Sequence, residues 1–141
     1  MKEHLVLRVV VRFLTPFILM YALYVQFHGE YSPGGGFQAG VIFASAFIAY
    51  CLLYGLDKAL DILSLDALRI LSAIGVLLYS GVGVVTMLLG GNFLDYNVLH
   101  SSAVSGQQWG IILVELGVGI TVFSVMLLVF YVFAGYRHEQ E

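Results

Sequence analysis

Three long runs of the chain contain no charged residue. Tyr31–Leu56, Ile70–Leu94 and Leu116–Tyr136 are 26, 25 and 21 residues long. An α-helix rises 1.5 Å per residue, so each run can cross a hydrocarbon layer about 30 Å thick. The pattern therefore predicts three transmembrane helices.

A fourth helix is predicted near the N-terminus. Its uncharged run, Phe13–Phe27, has only 15 residues, so the helix must also include Val9–Arg12, with the Arg12 side chain extending to the interface. Basic residues before an apolar stretch are also typical of a signal peptide. Because the following residues Tyr24-Val25-Gln26-Phe27 are too bulky for a cleavage site, we interpret the segment as a retained helix.

We expect an all-α membrane protein that forms a single domain over residues 1–141, with transmembrane helices at about 9–28, 36–55, 69–90 and 110–134. The positive charges predict its orientation. All six Lys and Arg residues fall on the side that carries the termini, and the two connections on the other side contain none. Because cytoplasmic segments are rich in these residues, both termini are expected in the cytoplasm.

Composition narrows the class of protein. The chain is 60% hydrophobic and 11% charged, whereas a soluble domain has about 25% charged residues. Its one cysteine, Cys51, allows neither a disulfide within these 141 residues nor a cysteine metal cluster, so no metal or other cofactor is expected. A net charge of -3 argues against a nucleic-acid-binding surface.

Three titratable residues on the outer half are candidates for an ion path. Glu115 lies about 8 Å inside the outer boundary if the fourth span begins at Gly110, and at the interface if it begins at Leu116. A carboxylate inside the membrane is a functional candidate, and a wetted residue paired with a neighbouring subunit is the alternative. Asp95 and His100 lie in a long connection, where they are either functional or simply solvated.

The most unusual string of the chain is Pro33-Gly34-Gly35-Gly36-Phe37-Gln38-Ala39-Gly40. Three successive glycines cost backbone entropy, so the string indicates a positive φ or a close contact. We interpret it as a sharp break before the second helix, presented to a cavity or a partner, with a flexible turn as the alternative. The residues assigned to this structural motif and partner contact are Pro33, Gly34, Gly35, Gly36, Phe37 and Gly40.

At this string the chain resembles the B-type subunit of the multisubunit Mrp-type (Mnh-type) Na+/H+ antiporters. The matching features are the basic N-terminal helix, the four-span organisation, His28-Gly29-Glu30, the glycine string and Gly90-Gly91-Asn92-Phe93-Leu94-Asp95-Tyr96. The resemblance implies a non-catalytic, multi-pass subunit of a prokaryotic plasma membrane. With other membrane subunits it would form a complex that exports Na+ in exchange for H+.

No lysine lies in any predicted span, whereas the larger subunits of this superfamily resemble one another in having buried Lys and Glu relays. The resemblance therefore places proton translocation mainly in those subunits, and this chain would contribute to assembly and to the ion route. Two alternatives stay open. One is a self-contained homo-oligomeric ion channel or carrier, and the other is a membrane-arm subunit of a related redox complex.

The predicted orientation can be tested by cysteine labelling of a Cys51→Ser chain in intact cells. Single Ser32→Cys and Ser102→Cys variants should react with a membrane-impermeant thiol reagent, because both positions are predicted outside. A Gln140→Cys variant should react only after the membrane is permeabilised. Labelling of Gln140→Cys in intact cells would reverse the topology.

Overall fold

A computed structural model describes residues 3–29 and 34–138 of the chain. In these ranges the helices are α1 (Glu3–Phe27), α2 (Gly36–Tyr54), α3 (Leu56–Ile62), α4 (Leu65–Leu88) and α5 (Ala103–His138), with a short 3-10 helix at Tyr96–Leu99. No β-strand occurs in the described ranges. Four of the helices, α1, α2, α4 and α5, are long and apolar enough to cross a membrane. The predicted all-α, four-helix fold is confirmed.

Helix α5 is the centre of the arrangement. It packs against α4 and against α2, while α1 packs mainly against α2. The helices therefore follow the spatial order α1, α2, α5, α4. In α1 only 6% of an 18-residue apolar window is buried by the rest of the chain. Most of the surface of α1 is left for lipid or for other proteins.

Glycines set the distances between the central helices. A Cβ atom built on Gly40 of α2 would lie 2.7 Å from the carbonyl oxygen of Gly119 in α5. On the other side, a Cβ atom on Gly75 of α4 would lie 2.8 Å from the carbonyl oxygen of Gly117. Side chains at these positions would push the backbones apart. Small residues at helix contacts let backbones approach closely, which favours helix association in a membrane.

The end of the bundle near the termini is closed by a cluster of apolar side chains. Ala59 of the short helix α3 packs there with Leu68, Leu127 and Tyr131, all of them buried. The Tyr131 hydroxyl has no hydrogen-bond partner among the described residues, so this side chain contributes through the packing of its ring. Charged residues of α3 remain exposed, and the helix thus covers the bundle with its apolar face.

Both ends of α4 lie where the sequence signals place them. Ser64 caps the helix, because its hydroxyl oxygen accepts a hydrogen bond of 3.2 Å from the Ala67 backbone N–H. Asp66 in the first turn pairs with Arg69 at 2.8 Å. The helix ends at Leu88, two residues before Gly90 at φ +88°. The cap and the ion pair therefore both stabilise the first turn of α4.

Helix α5 begins at Ala103, seven residues before the predicted start of the fourth span. The segment between them is rich in Ser, Gly and Gln, which suggested a loop, but polar residues lower hydropathy without breaking a helix. With 36 residues, α5 is about 54 Å long and exceeds the hydrocarbon thickness. The positions of the membrane boundaries on the helices stay a prediction.

The contact between α4 and α5 can be tested with two glycine variants of α4. Gly75→Ala should lower the free energy of unfolding by about 1–3 kcal/mol, because its methyl group would meet backbone atoms of α5. Gly81→Ala is the matched control, since no heavy atom lies within 4 Å of its added Cβ atom. Its free energy of unfolding should change by less than about 0.5 kcal/mol. Equal effects of the two variants in reversible detergent unfolding would contradict the contact.

Candidate functional site

The Glu115 carboxylate lies against the connection between α1 and α2. A Cβ atom built on Gly29 would be 2.7 Å from both carboxylate oxygens, and one built on Gly35 would be 3.0 Å from Oε1. Gly36, the first residue of α2, packs directly on the backbone carbonyl of Glu115. The sequence presented Glu115 and the glycine string as two separate candidates, and the structure brings them together.

Two glycines of the string are required for different reasons. Gly35 has φ +119°, a backbone conformation that residues with a side chain rarely adopt. Gly36 has helical geometry, but a Cβ atom on it would overlap the Glu115 carbonyl oxygen. Gly34 precedes them outside the helix and is half-buried, while Pro33 lies outside the described residues. The string thus supplies both the positive φ and the close contact expected from it.

A buried amide lies one turn of α5 away from the carboxylate. Gln26, in the last turn of α1, is 8% exposed, and its Oε1 atom would be 2.5 Å from a Cβ atom built on Gly119. Gly119 follows Glu115 by one turn of α5, so both residues lie along the same side of that helix. The carboxylate and the amide are therefore two polar side chains about one helical turn apart among apolar helices.

The described part of the site is built around one carboxylate. Within 3–29 and 34–138, no three His, Cys, Asp or Glu side chains are grouped as ligands of a metal ion would be. His28, next to Gly29, is exposed and stacks on the ring of Tyr24 with ring centroids 4.1 Å apart. A single carboxylate with an amide and backbone oxygens nearby can hold one proton or one monovalent cation.

The helices on the two sides of Glu115 have different heights. The last turn of α1 and the first turn of α2 both lie at the level of Glu115. On the other side, the backbone N–H of Tyr79 in α4 lies at the level of Gly117, and α4 continues nine residues further, about 13 Å, to Leu88. Helix α4 therefore extends beyond the neighbouring ends of α1 and α2. We call this difference in height the step, and Glu115 lies at its foot, level with the ends of α1 and α2.

The upper turns of α4 are apolar and exposed, and Leu88 is 81% exposed. If these turns lie in hydrocarbon, then the described ends of the connection between α1 and α2, at Gly29 and Gly35, lie at membrane depth. Irregular backbone at that depth is tolerated only where it is covered by protein or lines a cavity that contains water. The step thus gives a physical reason for a partner or a water-filled space beside Glu115.

Asp95 and His100 have local structural contacts in the outer connection. Asp95 accepts hydrogen bonds from the backbone and side-chain nitrogens of Asn97 at 3.3 and 3.0 Å and caps the 3-10 helix. The Nδ1 atom of His100 accepts a hydrogen bond of 3.2 Å from the Ser102 backbone N–H. These contacts stabilise the shape of the connection itself. The role of both residues in an ion path stays a prediction.

The outer connection packs down onto the helices that it joins. The Thr86 hydroxyl accepts a hydrogen bond of 3.0 Å from the Leu94 backbone N–H and donates to the carbonyl oxygens of Gly83 and Asn92. The Phe93 ring covers Gly83. Tyr96 packs on Gly110, more than one turn of α5 outward from Glu115. Burial, with a smaller contribution from Tyr79, raises the pKa of the Tyr96 hydroxyl above its ordinary value. This side chain therefore stays neutral at physiological pH.

Residues 6–128 match a family model described as a domain related to the MnhB subunit of Na+/H+ antiporter. The chain belongs to the MnhB family. Proteins named antiporter subunit mnhB2 from Staphylococcus aureus strains Newman, JH1 and COL are each 37% identical to it over 141 residues. The alignment covers 97% of this chain and 99% of each relative.

Membership of the MnhB family confirms the resemblance drawn from the glycine string. The family is one of transporters, and its bacterial members together with the four apolar helices identify this chain as a multi-pass protein of the plasma membrane. Phe37, the second residue of α2, is 62% exposed. Its contact with a partner stays a prediction, and its exposure leaves the ring accessible for one.

Two members of the site were missed in the sequence of this MnhB protein. Gln26 is a lone amide at the end of an apolar run, and Gly119 is one of two glycines in Leu116-Gly117-Val118-Gly119. Both signals are visible in the sequence. What the sequence does not contain is the register of α1, α2 and α5 that places these residues beside Glu115.

Proposed function

We propose that this chain is an accessory membrane subunit of a multisubunit antiporter that exchanges Na+ for H+. The observation that carries the proposal is the match to the MnhB family over residues 6–128, with relatives of the same length that are named antiporter subunits. The chain acts with other membrane subunits and has no catalytic role. Proton translocation belongs mainly to those other subunits.

The exposed surface of the chain supports a function within an assembly. Helix α1 makes its main contacts with α2, and most of its apolar residues are exposed, among them Val6, Phe13, Phe17 and Met20. Phe37 extends the exposed aromatic surface to the start of α2. A surface of this extent is suited to contacts with other membrane proteins, where packing of side chains drives association.

We further propose that Glu115 lies beside the cation route of the complex. Three features support this role: its carboxylate lies at the foot of the step, the backbone of Gly29 and Gly35 packs closely against it, and the Gln26 amide lies one turn of α5 away, at Gly119. The step requires protein or water next to the carboxylate.

The function can be tested by comparing the single chain with the assembled complex. The full chain reconstituted alone into liposomes should show no Na+ flux coupled to a proton gradient. The same liposomes should gain this activity when the subunits that co-purify with the chain are included. Coupled transport by the single chain would instead support a self-contained carrier, and co-purification with hydrogenase or quinone-linked subunits would support a redox complex.

The role of Glu115 can be tested with Glu115→Gln, which keeps the size of the side chain and removes its charge. In assembled vesicles the variant should raise the apparent KM for Na+ by about five- to ten-fold, which corresponds to the loss of one charge contact. Asp61→Asn is the control, since Asp61 is exposed on α3 at the other end of the bundle. Unchanged Na+ dependence, or activity reduced only in proportion to the amount of complex, would assign Glu115 to subunit pairing.

A further inference from the structure

A groove of about 510 Å³ opens between α1 and α2 at the end of the bundle that carries the termini. Arg12 of α1 and Lys58 of α3 line it together with the rings of Tyr50 and Tyr54. Arg8 lies at the same place, with its guanidinium carbon 5.9 Å from the centre of the Tyr54 ring. Three of the six Lys and Arg residues of the chain therefore converge on one groove.

These positive charges are not neutralised by the part of the chain that the structure describes. The one ion pair found there joins Arg69 and Asp66 on α4, outside the groove. Asp57 and Asp61 lie on the same short helix as Lys58, but they are exposed and do not line the groove. The groove thus presents cationic and phenolic groups without a carboxylate.

The lining of the groove changes from charged at the mouth to apolar further inside. Leu19 lines its inner part and lies seven residues from Arg12 along α1, about 10 Å further toward the middle of the membrane. Pro16 and Thr15 lie between them, and the Thr15 hydroxyl donates to the Val11 carbonyl oxygen at 2.7 Å within α1. The mouth is therefore positively charged, and the apolar wall below it follows the direction of a lipid chain.

We propose that this groove binds one anionic glycerophospholipid from the leaflet on the side of the termini. The phosphate lies between Arg12 and Lys58, and the hydroxyls of Tyr50 and Tyr54, which also line the groove, donate to its oxygens. One acyl chain runs along Pro16 and Leu19. Basic pockets between transmembrane helices are suited to anionic head groups, and tyrosine rings favour the membrane interface.

Two features favour a lipid over other occupants. A free phosphate ion would use the charged mouth but leave the apolar wall uncovered. An acidic helix end from a partner protein would match the charge, but its polar groups would not match the apolar wall at Pro16 and Leu19. A phospholipid matches both the charge at the mouth and the apolar surface below it, and it is already present at this height in the membrane.

The proposal can be tested on the purified full chain, with any subunits that co-purify, in phosphatidylcholine nanodiscs. The probe is phosphatidylglycerol with a photoactivatable group on one acyl chain, titrated and read by mass spectrometry of labelled peptides. Saturable labelling should fall on α1 and α2 beside the groove. A combined Arg12→Gln and Lys58→Gln variant should weaken half-saturation by about five-fold for each charge removed, or roughly twenty-five-fold.

Matched variants separate the groove from general surface charge. Arg69→Gln removes a positive charge on the same side of the membrane and should leave half-saturation unchanged, while Arg12→Lys keeps the charge and should retain labelling. If the double variant does not yield folded protein, Lys58→Gln alone, at an exposed position of α3, should still weaken half-saturation about five-fold. Each variant is compared only after its unfolding temperature matches that of the unchanged chain.

Four results would overturn the proposal. The first is equal labelling by a phosphatidylcholine probe, and the second is an equal loss in Arg69→Gln, which would indicate general electrostatic attraction to the surface. The third is complete displacement of the lipid probe by inorganic phosphate, which would indicate a site for a free anion. The fourth is absence of lipid labelling together with cross-linking from Lys58 to another subunit, which would place a protein in the groove.

Discussion

The structure depends on direct backbone contact of α5 with the helices on both of its sides. Gly119 meets Gly36 and Gly40 of α2, and Gly117 meets Gly75 of α4. In a membrane the hydrophobic effect does not hold helices together, because lipid chains are as apolar as the side chains that they replace. Close packing must supply the association, and glycine permits the closest approach. The position of every other group follows from these contacts.

Glu115 illustrates how the contacts of α5 create a polar site. The carboxylate is two residues from Gly117 and four from Gly119, so the same turns of α5 that approach α2 and α4 also carry the charge. The approach of α2 fixes Gly35 and Gly36 beside Glu115, and the approach of α1 brings Gln26 within the same space. A substitution that moved α2 outward would change the surroundings of the carboxylate without touching it.

The sequence predicted the elements well because each has a local cause. Uncharged runs indicated four transmembrane helices, and the glycine string indicated a positive φ that is found at Gly35. The start of α5 was placed too late, since hydropathy reports where lipid is favoured and not where helical hydrogen bonds begin. The site itself could not be assembled from the sequence, because the register between Glu115 and Gly29 depends on non-local packing.

The step between the two helix pairs has a consequence for the surrounding bilayer. Helix α2 has 19 residues, about 28 Å, whereas α4 has 24, about 36 Å. A bilayer that matches α4 must therefore thin next to α2, or α4 must tilt, at a cost of fractions of a kcal/mol for each ångström of hydrophobic mismatch. A neighbouring protein that covers the short side removes this deformation. The membrane itself therefore contributes to the association of this chain with its neighbours, before any specific side-chain contact is made.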